Sequence, residues 1–168
     1  QTIFLLSVKS GLRAKEISQL SWREVLNSEG AIDTHISLTN QSSKGNSGRC
    51  IPLHKLVRRN LAEMYEYQSM FRYFDPKTSF VIRTERSPFT TSQTIVNMFQ
   101  KWYSTLGLIG CSSHSGRRTF ITETAKKISL VGGSLRDIQM MAGHSSLQTT
   151  QRYIDADSEA QAKVVNLL

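Results

Sequence analysis

One segment, residues 32–53, departs from an otherwise helical pattern and limits the folds open to this chain. Apolar residues alternate over 32–38, as in a strand with one buried face. The polar residues 40–48 have the composition of a tight turn, and residues 49–53 return as a partner strand. A further extended piece at 80–83 predicts a third strand. We therefore expect a small antiparallel sheet of three strands.

The rest of the chain has the spacing of amphipathic helices, with apolar residues recurring every three or four positions. Gly11 ends the first helix, because glycine readily adopts the left-handed backbone that closes a helix. The sequence has no internal repeat or linker, so residues 1–168 are interpreted as one domain of the α+β class, mainly α-helical. Helices are predicted over 2–9, 14–21, 55–72, 91–106, 114–128, 134–142 and 146–155.

Charge is the unusual feature of the composition. The 168 residues include 21 Lys and Arg against 13 Asp and Glu, which gives a net charge of +8. Such an excess favours a polyanionic partner such as nucleic acid, although a basic surface alone has the same composition. The four histidines and two cysteines are scattered singly, so the sequence predicts no metal site and no disulfide. No apolar run is long enough to cross a membrane.

The nine-residue spacing between His144 and Tyr153 constrains the local fold. On one straight helix nine residues turn through about 900°, which would place the two side chains on opposite faces. They can converge only if the helix breaks, and Gly143 followed by Ser145 and Ser146 supplies a helix stop and a new helix start. On its own, Tyr153 would be interpreted as a half-buried aromatic of a late helix.

Several basic side chains have neighbours typical of a phosphate site. Arg117 follows His114 by three residues, so on a helix both can reach one phosphate, and the arginine fork can grip two of its oxygens. Arg13 precedes Glu16 by three residues, and this spacing on its own is typical of an ion pair on a helix surface. Lys44 lies in the polar turn, where a lysine is usually solvated.

Taken together, these motifs resemble the catalytic domain of the tyrosine recombinases, the phage integrase family. The resemblance extends from Ser10 to about Asp155. Its five motifs are, in chain order, Ser-Gly-Leu-Arg13, Ser-Lys44-Gly, His114-Ser-Gly-Arg117, Gly-His144 and Tyr153. Gly116 and Arg118 depart from the usual His-x-Leu-Arg-His-Thr, and Ala142 stands where leucine is common before the glycine.

The resemblance implies a role for each motif in metal-independent cleavage of a phosphodiester. Tyr153 is expected to attack phosphorus and form a 3′-phosphotyrosine, while Lys44 protonates the leaving 5′ oxygen as general acid. His114 is expected to act as base or hydrogen-bond donor, and His144 to donate to a non-bridging oxygen. The two arginines are expected to hold the phosphate oxygens, with Glu16 supporting the first of them.

The resemblance also implies partners. Such enzymes act on double-stranded DNA as a homotetramer on paired sites, exchange strands through a Holliday junction and use no cofactor. We expect the same here, and a monomer in the absence of DNA. The expected location is the cytoplasm, in association with the nucleoid, and the expected origin is a bacterium or a phage. Since the family usually clamps DNA with an N-terminal domain, a chain that begins at Gln1 is expected to be a fragment without it. A DNA-facing patch is expected at Lys55, Arg58, Arg59 and Arg118.

Two other functions stay open. A type IB topoisomerase shares this chemistry but swivels and reseals one strand, and the match over residues 143–153 favours the recombinases over it. A catalytically inactive relative that only binds DNA as a regulator could dispense with Lys44 or Tyr153, yet both are present.

Overall fold

The fold combines seven α-helices with one two-stranded sheet in the part of the chain that the structure describes. The computed structural model describes residues 1–40, 48–85, 87–153 and 165–166. The helices are α1 (Thr2–Ser10), α2 (Ala14–Gln19), α3 (Lys55–Ser69), α4 (Ser92–Thr105), α5 (Ser115–Ile128), α6 (Leu135–Ala142) and α7 (Leu147–Gln151), and the strands are β1 (His35–Leu38) and β2 (Arg49–Pro52). The predicted α+β class, mainly helical, is confirmed.

Helices α1 to α4 and the sheet enclose the main hydrophobic core. Trp22, in a short 3₁₀ helix after α2, is the largest side chain buried there. Its indole N–H donates to Gln68 of α3 at 2.9 Å, and the Gln68 amide donates to the Val81 carbonyl at 2.9 Å. Both amide groups of this buried glutamine are therefore satisfied, and they tie α3 to the segment that follows it.

The predicted hairpin is present. β1 and β2 pair antiparallel, with Ile36 opposite Ile51 and Leu38 opposite Arg49. The two isoleucines are fully buried, so the alternating apolar residues of the sequence lie on the face of the hairpin that packs against the core. The turn residues 41–47 lie outside the described part of the chain.

The prediction of a third strand at 80–83 is wrong, because the described sheet has two strands. Phe80 forms only an isolated bridge with Ser21, and the Val81 N–H donates to the Leu20 carbonyl at 2.8 Å. The Val81 N–H of this segment therefore pairs with the end of α2, and its carbonyl accepts from Gln68, so neither is bonded to the hairpin. The segment packs beside the end of that helix and does not extend the hairpin.

Helices α5 and α6 form a second, smaller core around Ile121, Ile138 and Ala142, and Tyr153, which follows α7, packs against it. α5 also packs on α1, where Gly116 faces Ser7. A Cβ added at Gly116 would lie 3.0 Å from the Ser7 Cβ, so only glycine allows this approach of the two helices. The departure at residue 116 from the family pattern therefore has a packing explanation.

Three smaller expectations concern the last helix, the cysteines and the membrane. α7 covers the first part of the helix predicted over 146–155, and residues 154–155 lie outside the described ranges. Cys50 and Cys111 are free and exposed. Within the described ranges, no helix has the length and apolar character needed to cross a membrane.

Candidate active site at the end of helix α6

Arg117 on α5 ties the C-terminal ends of α1 and α6 together. The residue is 4 % exposed, and its guanidinium donates to the carbonyls of Gly11 and Ala142. Both helices end at a glycine with a left-handed backbone, Gly11 at φ 65° and Gly143 at φ 62°, which leaves the last carbonyls open to such donors. Burial, followed by the charge of Arg13, lowers the pKa of Arg117 to about 10. Arg117 therefore stays charged at neutral pH.

Arg13 stands directly before α2 and is held by Glu16. Its backbone N–H donates to Glu16 Oε2 at 2.8 Å, and its Nη1 donates to Glu16 Oε1 at 2.9 Å. The carboxylate side chain is fully buried, whereas that of Arg13 is 26 % exposed. The contact is thus a buried support and not the solvated surface pair that the spacing alone permits. Arg13 is also only two residues from the Gly11 carbonyl that Arg117 binds.

Arg49, the first residue of β2, is a third arginine of the cluster that the sequence interpretation missed. Its Nη1 and Nη2 donate to the two oxygens of Glu16 at 2.9 and 3.1 Å, and its Nε donates to the Met141 carbonyl at 2.8 Å. A lone arginine after a polar turn carries no sequence signal of this role, because both partners are distant in sequence. The side chain is 6 % exposed.

His144 and Tyr153 converge because the helix breaks between them, as predicted. Gly143 ends α6 with a left-handed backbone, and the Ser146 side chain accepts from the Gln148 N–H at the start of α7. The two rings lie nearly parallel, with their centroids 5.7 Å apart and their planes 17° apart. The chain reversal thus brings the phenol back to the end of α6.

Two further polar residues that sequence reasoning missed fix the position of His144. The Gln139 side chain donates to the His144 carbonyl at 2.9 Å, and the His144 N–H donates to the Gln139 carbonyl at 3.1 Å. The hydroxyl of Thr150, a fully buried residue, lies 2.9 Å from His144 Nδ1. Two adjacent threonines follow His144, and the pattern alone does not distinguish which of them, Thr149 or Thr150, makes this contact.

The environment of His144 favours the neutral imidazole. Burial is the largest cause, and the positive charges of Arg117, Arg13 and Arg49 add to it. Together they lower the pKa of His144 to about 4. At neutral pH the ring therefore has one N–H to donate, and the positive charge of the cluster resides on its arginines.

The structure does not join every predicted site residue to this cluster. His114 lies just before α5 with its side chain exposed, and its backbone N–H donates to Ser112 Oγ at 3.3 Å. Among the described residues, no hydrogen bond links its ring to the arginines, His144 or Tyr153. Lys44 lies outside the described residues.

The predicted DNA-facing patch is solvent-exposed. Lys55, Arg58 and Arg59 lie on the outer face of α3, and Arg118 is exposed on α5. Arg59 forms a 3.7 Å ion pair with Glu63. Both side chains are solvent-exposed, so the pair contributes little to stability. No hydrogen bond or ion pair in the described ranges connects these four residues to the cluster.

The cluster as a whole has the chemistry of an oxyanion site beside a phenol. Arg49 and Arg117 bind the last carbonyls of α6, Arg13 shares Glu16 with Arg49, and Tyr153 stacks on His144. Guanidinium and imidazole donors fixed in a partly dry setting stabilise charge that develops on an oxyanion. Within the described residues, no three or more His, Cys, Asp or Glu side chains come together as potential metal ligands.

Comparison with known proteins agrees with the geometry. The family model named "Phage integrase family" matches residues 1–160. The tyrosine recombinase XerC of Bradyrhizobium diazoefficiens is 33 % identical over 163 residues, which make up 96 % of this chain and 47 % of that protein. The XerC of Haemophilus ducreyi is 29 % identical over 160 residues, 95 % of this chain and 48 % of that protein. This chain spans about half the length of these relatives.

Solved structures share the fold at low sequence identity. The integrase of the Tn1549 transposon in complex with circular intermediate DNA has a TM-score of 0.73 at 20 % identity, over 99 % of this chain and 59 % of that one. The XerA recombinase has a TM-score of 0.72 at 19 % identity, over 97 % of this chain and 55 % of that one. Because the family model matches residues 1–160 of 168, the chain belongs to the phage integrase family.

Proposed function

We propose that this chain carries the catalytic domain of a site-specific DNA recombinase, which cleaves and rejoins DNA through a covalent 3′-phosphotyrosine. The observation that carries the proposal is the stacking of Tyr153 on His144 at the end of α6, near Arg117, which stays charged at neutral pH. Positive charge beside Tyr153 reduces the repulsion between its oxygen and the phosphate that it attacks. The names of the XerC relatives, which are tyrosine recombinases, agree with this proposal.

In the proposed cleavage step, Tyr153 Oη attacks the phosphorus of one phosphodiester, and the bond from phosphorus to the 5′ oxygen breaks. The phenol proton passes to a base, for which the exposed His114 is the candidate. The leaving 5′ oxygen takes a proton from Lys44, so the products are a 3′-phosphotyrosine and a 5′ hydroxyl. One phosphoester bond replaces another, so attack by a 5′ hydroxyl rejoins the strand without ATP.

The side chains around Tyr153 are proposed to bind the non-bridging oxygens during this step. Arg13 is the more accessible of the two predicted phosphate ligands, since its side chain is 26 % exposed. Arg117 is held by two backbone carbonyls and contributes a fixed charge. If the Thr150 hydroxyl donates to His144 Nδ1, the proton resides on Nε2, which then donates to the phosphate.

For the whole protein we propose action on double-stranded DNA as a homotetramer assembled on paired sites. The net charge of +8 supports a DNA partner, and so does the exposure of Lys55, Arg58, Arg59 and Arg118. The relatives are bacterial proteins, so we expect the reaction to take place in a bacterial cytoplasm, at the nucleoid. Binding through such a patch should weaken steeply as salt rises.

The proposal is tested with the wild-type protein, Tyr153→Phe and Tyr73→Phe. Tyr73 is 87 % exposed and lies outside the cluster, so it controls for loss of any tyrosine. The protein as its gene encodes it is incubated without ATP, in EDTA, with negatively supercoiled plasmid carrying the DNA that flanks the gene, and quenched in SDS. We expect protein attached to 3′ DNA ends with wild type and Tyr73→Phe, and none with Tyr153→Phe.

Each alternative predicts a different outcome of the same experiment. Relaxed plasmid without recombinant products would favour a topoisomerase, and DNA retardation without any adduct would favour a regulator. An adduct that persists in Tyr153→Phe would refute the choice of nucleophile.

A further inference from the structure

In the described part of the chain, the guanidinium of Arg49 makes three hydrogen bonds, all to groups of the protein itself. It grips both oxygens of Glu16 in a bidentate pair, at 2.9 and 3.1 Å, and its Nε donates to the Met141 carbonyl at 2.8 Å. With 6 % of its side chain exposed, it is far less accessible to a ligand than Arg13, at 26 %. We therefore expect Arg49 to act through Glu16 and the Met141 carbonyl, without binding the phosphate directly.

Its first effect is on charge. Glu16 is buried, and burial by itself raises its pKa, but hydrogen bonds and positive charge from Arg49 and then Arg13 lower the pKa below the ordinary value. The carboxylate is thus ionised at neutral pH and accepts hydrogen bonds from both arginines. Paired with Arg13 alone, it would cancel the charge of that residue. Because Arg49 also binds it, one positive charge remains on the pair of arginines.

The resulting charge matches the proposed reaction. The three guanidinium groups of Arg13, Arg49 and Arg117 against the one carboxylate of Glu16 leave a formal charge of +2, and the low pKa of His144 keeps the imidazole neutral. A phosphodiester anion attacked by a phenolate gives a transition state with two negative charges. Without Arg49 the same groups would carry a formal charge of only +1.

The second effect of Arg49 is on the end of α6. Two consecutive carbonyls, those of Met141 and Ala142, accept from Arg49 and Arg117 respectively, and His144 follows two residues later. Gly143 lies against the Arg49 side chain, since a Cβ added there would be 2.8 Å from Nη1 and 3.1 Å from Cζ. The position of the loop that carries His144 is thus set against the guanidinium of Arg49.

We propose that Arg49 is a positioning residue of the active site: it balances the charge of Glu16 and fixes the end of α6, so that Arg13 remains free to bind the phosphate and His144 stays in reach of it. This inference rests on the proposed function. It concerns a residue that contacts neither the DNA nor the nucleophile.

The test compares Arg49→Met and Arg49→Lys with Arg23→Met, a control arginine exposed on the 3₁₀ helix after α2. Each full-length protein reacts with a duplex oligonucleotide that contains the cleavage position mapped with wild type, and the rate of 3′ adduct formation is measured. We expect Arg49→Met to slow the reaction by about 100-fold, as loss of one electrostatic contribution to a transition state typically does. Arg49→Lys should retain part of the rate because it keeps the charge, and Arg23→Met should react like wild type.

A neutral substrate separates an effect on charge from a general loss of structure. A methylphosphonate at the cleavage position removes one negative charge from the transition state, so the rate loss caused by Arg49→Met should shrink at least about tenfold on this substrate. A second variant, Glu16→Gln with Arg49→Met, removes one positive and one negative charge and restores the formal +2. It should therefore react faster than Arg49→Met alone.

The outcomes distinguish this inference from the function on which it rests. A wild-type protein that forms no adduct refutes the proposed function. A wild type that reacts, together with an Arg49→Met variant that reacts equally fast, refutes only the positioning role. An equal rate loss on phosphodiester and methylphosphonate, with no recovery in the double variant, would refute the charge-balancing role of Arg49. If Arg49→Met does not fold, Arg49→Gln, which keeps hydrogen-bond donors without the charge, replaces it in the same comparison on both substrates.

Discussion

Acidification from pH 7 to pH 5 should destabilise this protein through His144. Burial, with the neighbouring arginines, lowers the pKa of His144 to about 4, whereas the ring in the unfolded chain titrates near 6.5. Between these two values the unfolded state binds more protons than the folded state. The free energy of unfolding therefore falls as the pH falls from 6.5 towards 4, and the stability is fully present above 6.5.

The size of this effect follows from the same values. If the unfolded chain bound a full proton at His144 and the folded protein bound none, acidification from pH 6.5 to pH 5 would lower the free energy of unfolding by about 2 kcal/mol. The ring of His144 is only half-buried, so solvent screening reduces the expected loss to about 1 kcal/mol. The carboxyls with shifted pKa values, Glu16, Asp75, Glu123 and Asp137, are all shifted downwards and stay ionised over this range.

The assay is urea unfolding of wild type, His144→Gln and His54→Gln at pH 7 and pH 5. Burial, then Lys9 and Lys55, lower the pKa of His54 as well, but this residue lies at the more open start of α3. His144→Gln should remove about 1 kcal/mol of the pH dependence, and His54→Gln much less. The reasoning would be refuted if His144→Gln kept the wild-type pH dependence, or if NMR showed the His144 ring titrating near its ordinary pKa.

Two further substitutions probe the support of the site. Thr150→Val removes the buried hydroxyl next to His144 Nδ1 and should lower the free energy of unfolding by about 1 kcal/mol and slow adduct formation. Thr149→Val is its control, and equal losses in both variants would contradict the contact. Gly143→Ala forces a side chain onto a left-handed backbone and against Arg49, whereas Gly30→Ala meets a similar backbone (φ 80°) with no atom within 4 Å. Thermal unfolding should show the larger loss for Gly143→Ala, by about 1 kcal/mol or more, and a larger loss at Gly30 would contradict the packing.

The elements of the fold could be predicted where local signals decide them. Gly11 and Gly143 end their helices through a left-handed backbone, which is a property of the residue itself. The segment at 80–83 has the composition of a strand, but its backbone partners are Leu20 and Gln68, and this choice depends on tertiary packing. Composition alone could not reveal those partners.

The same division applies to the site. The side chains predicted to be catalytic stand in recognisable motifs, and the break after Gly143 predicts that His144 and Tyr153 meet, as the structure shows. The residues that hold them could not be predicted, because Arg49 binds a carbonyl 92 positions away and Gln139 binds the backbone of His144. Contacts to backbone groups leave no complementary residue in the sequence. The catalytic roles of all six side chains, Arg13, Lys44, His114, Arg117, His144 and Tyr153, stay predictions.

The central claim is that Tyr153 becomes covalently attached to DNA. The direct measurement is mass spectrometry of the nucleotide-bearing peptide from the SDS-quenched reaction, after nuclease and protease digestion. We expect a single phosphotyrosine linkage at Tyr153, joined to the 3′ end of the cleaved strand. A nucleotide attached to any other residue, or joined through a 5′ phosphate, would contradict it.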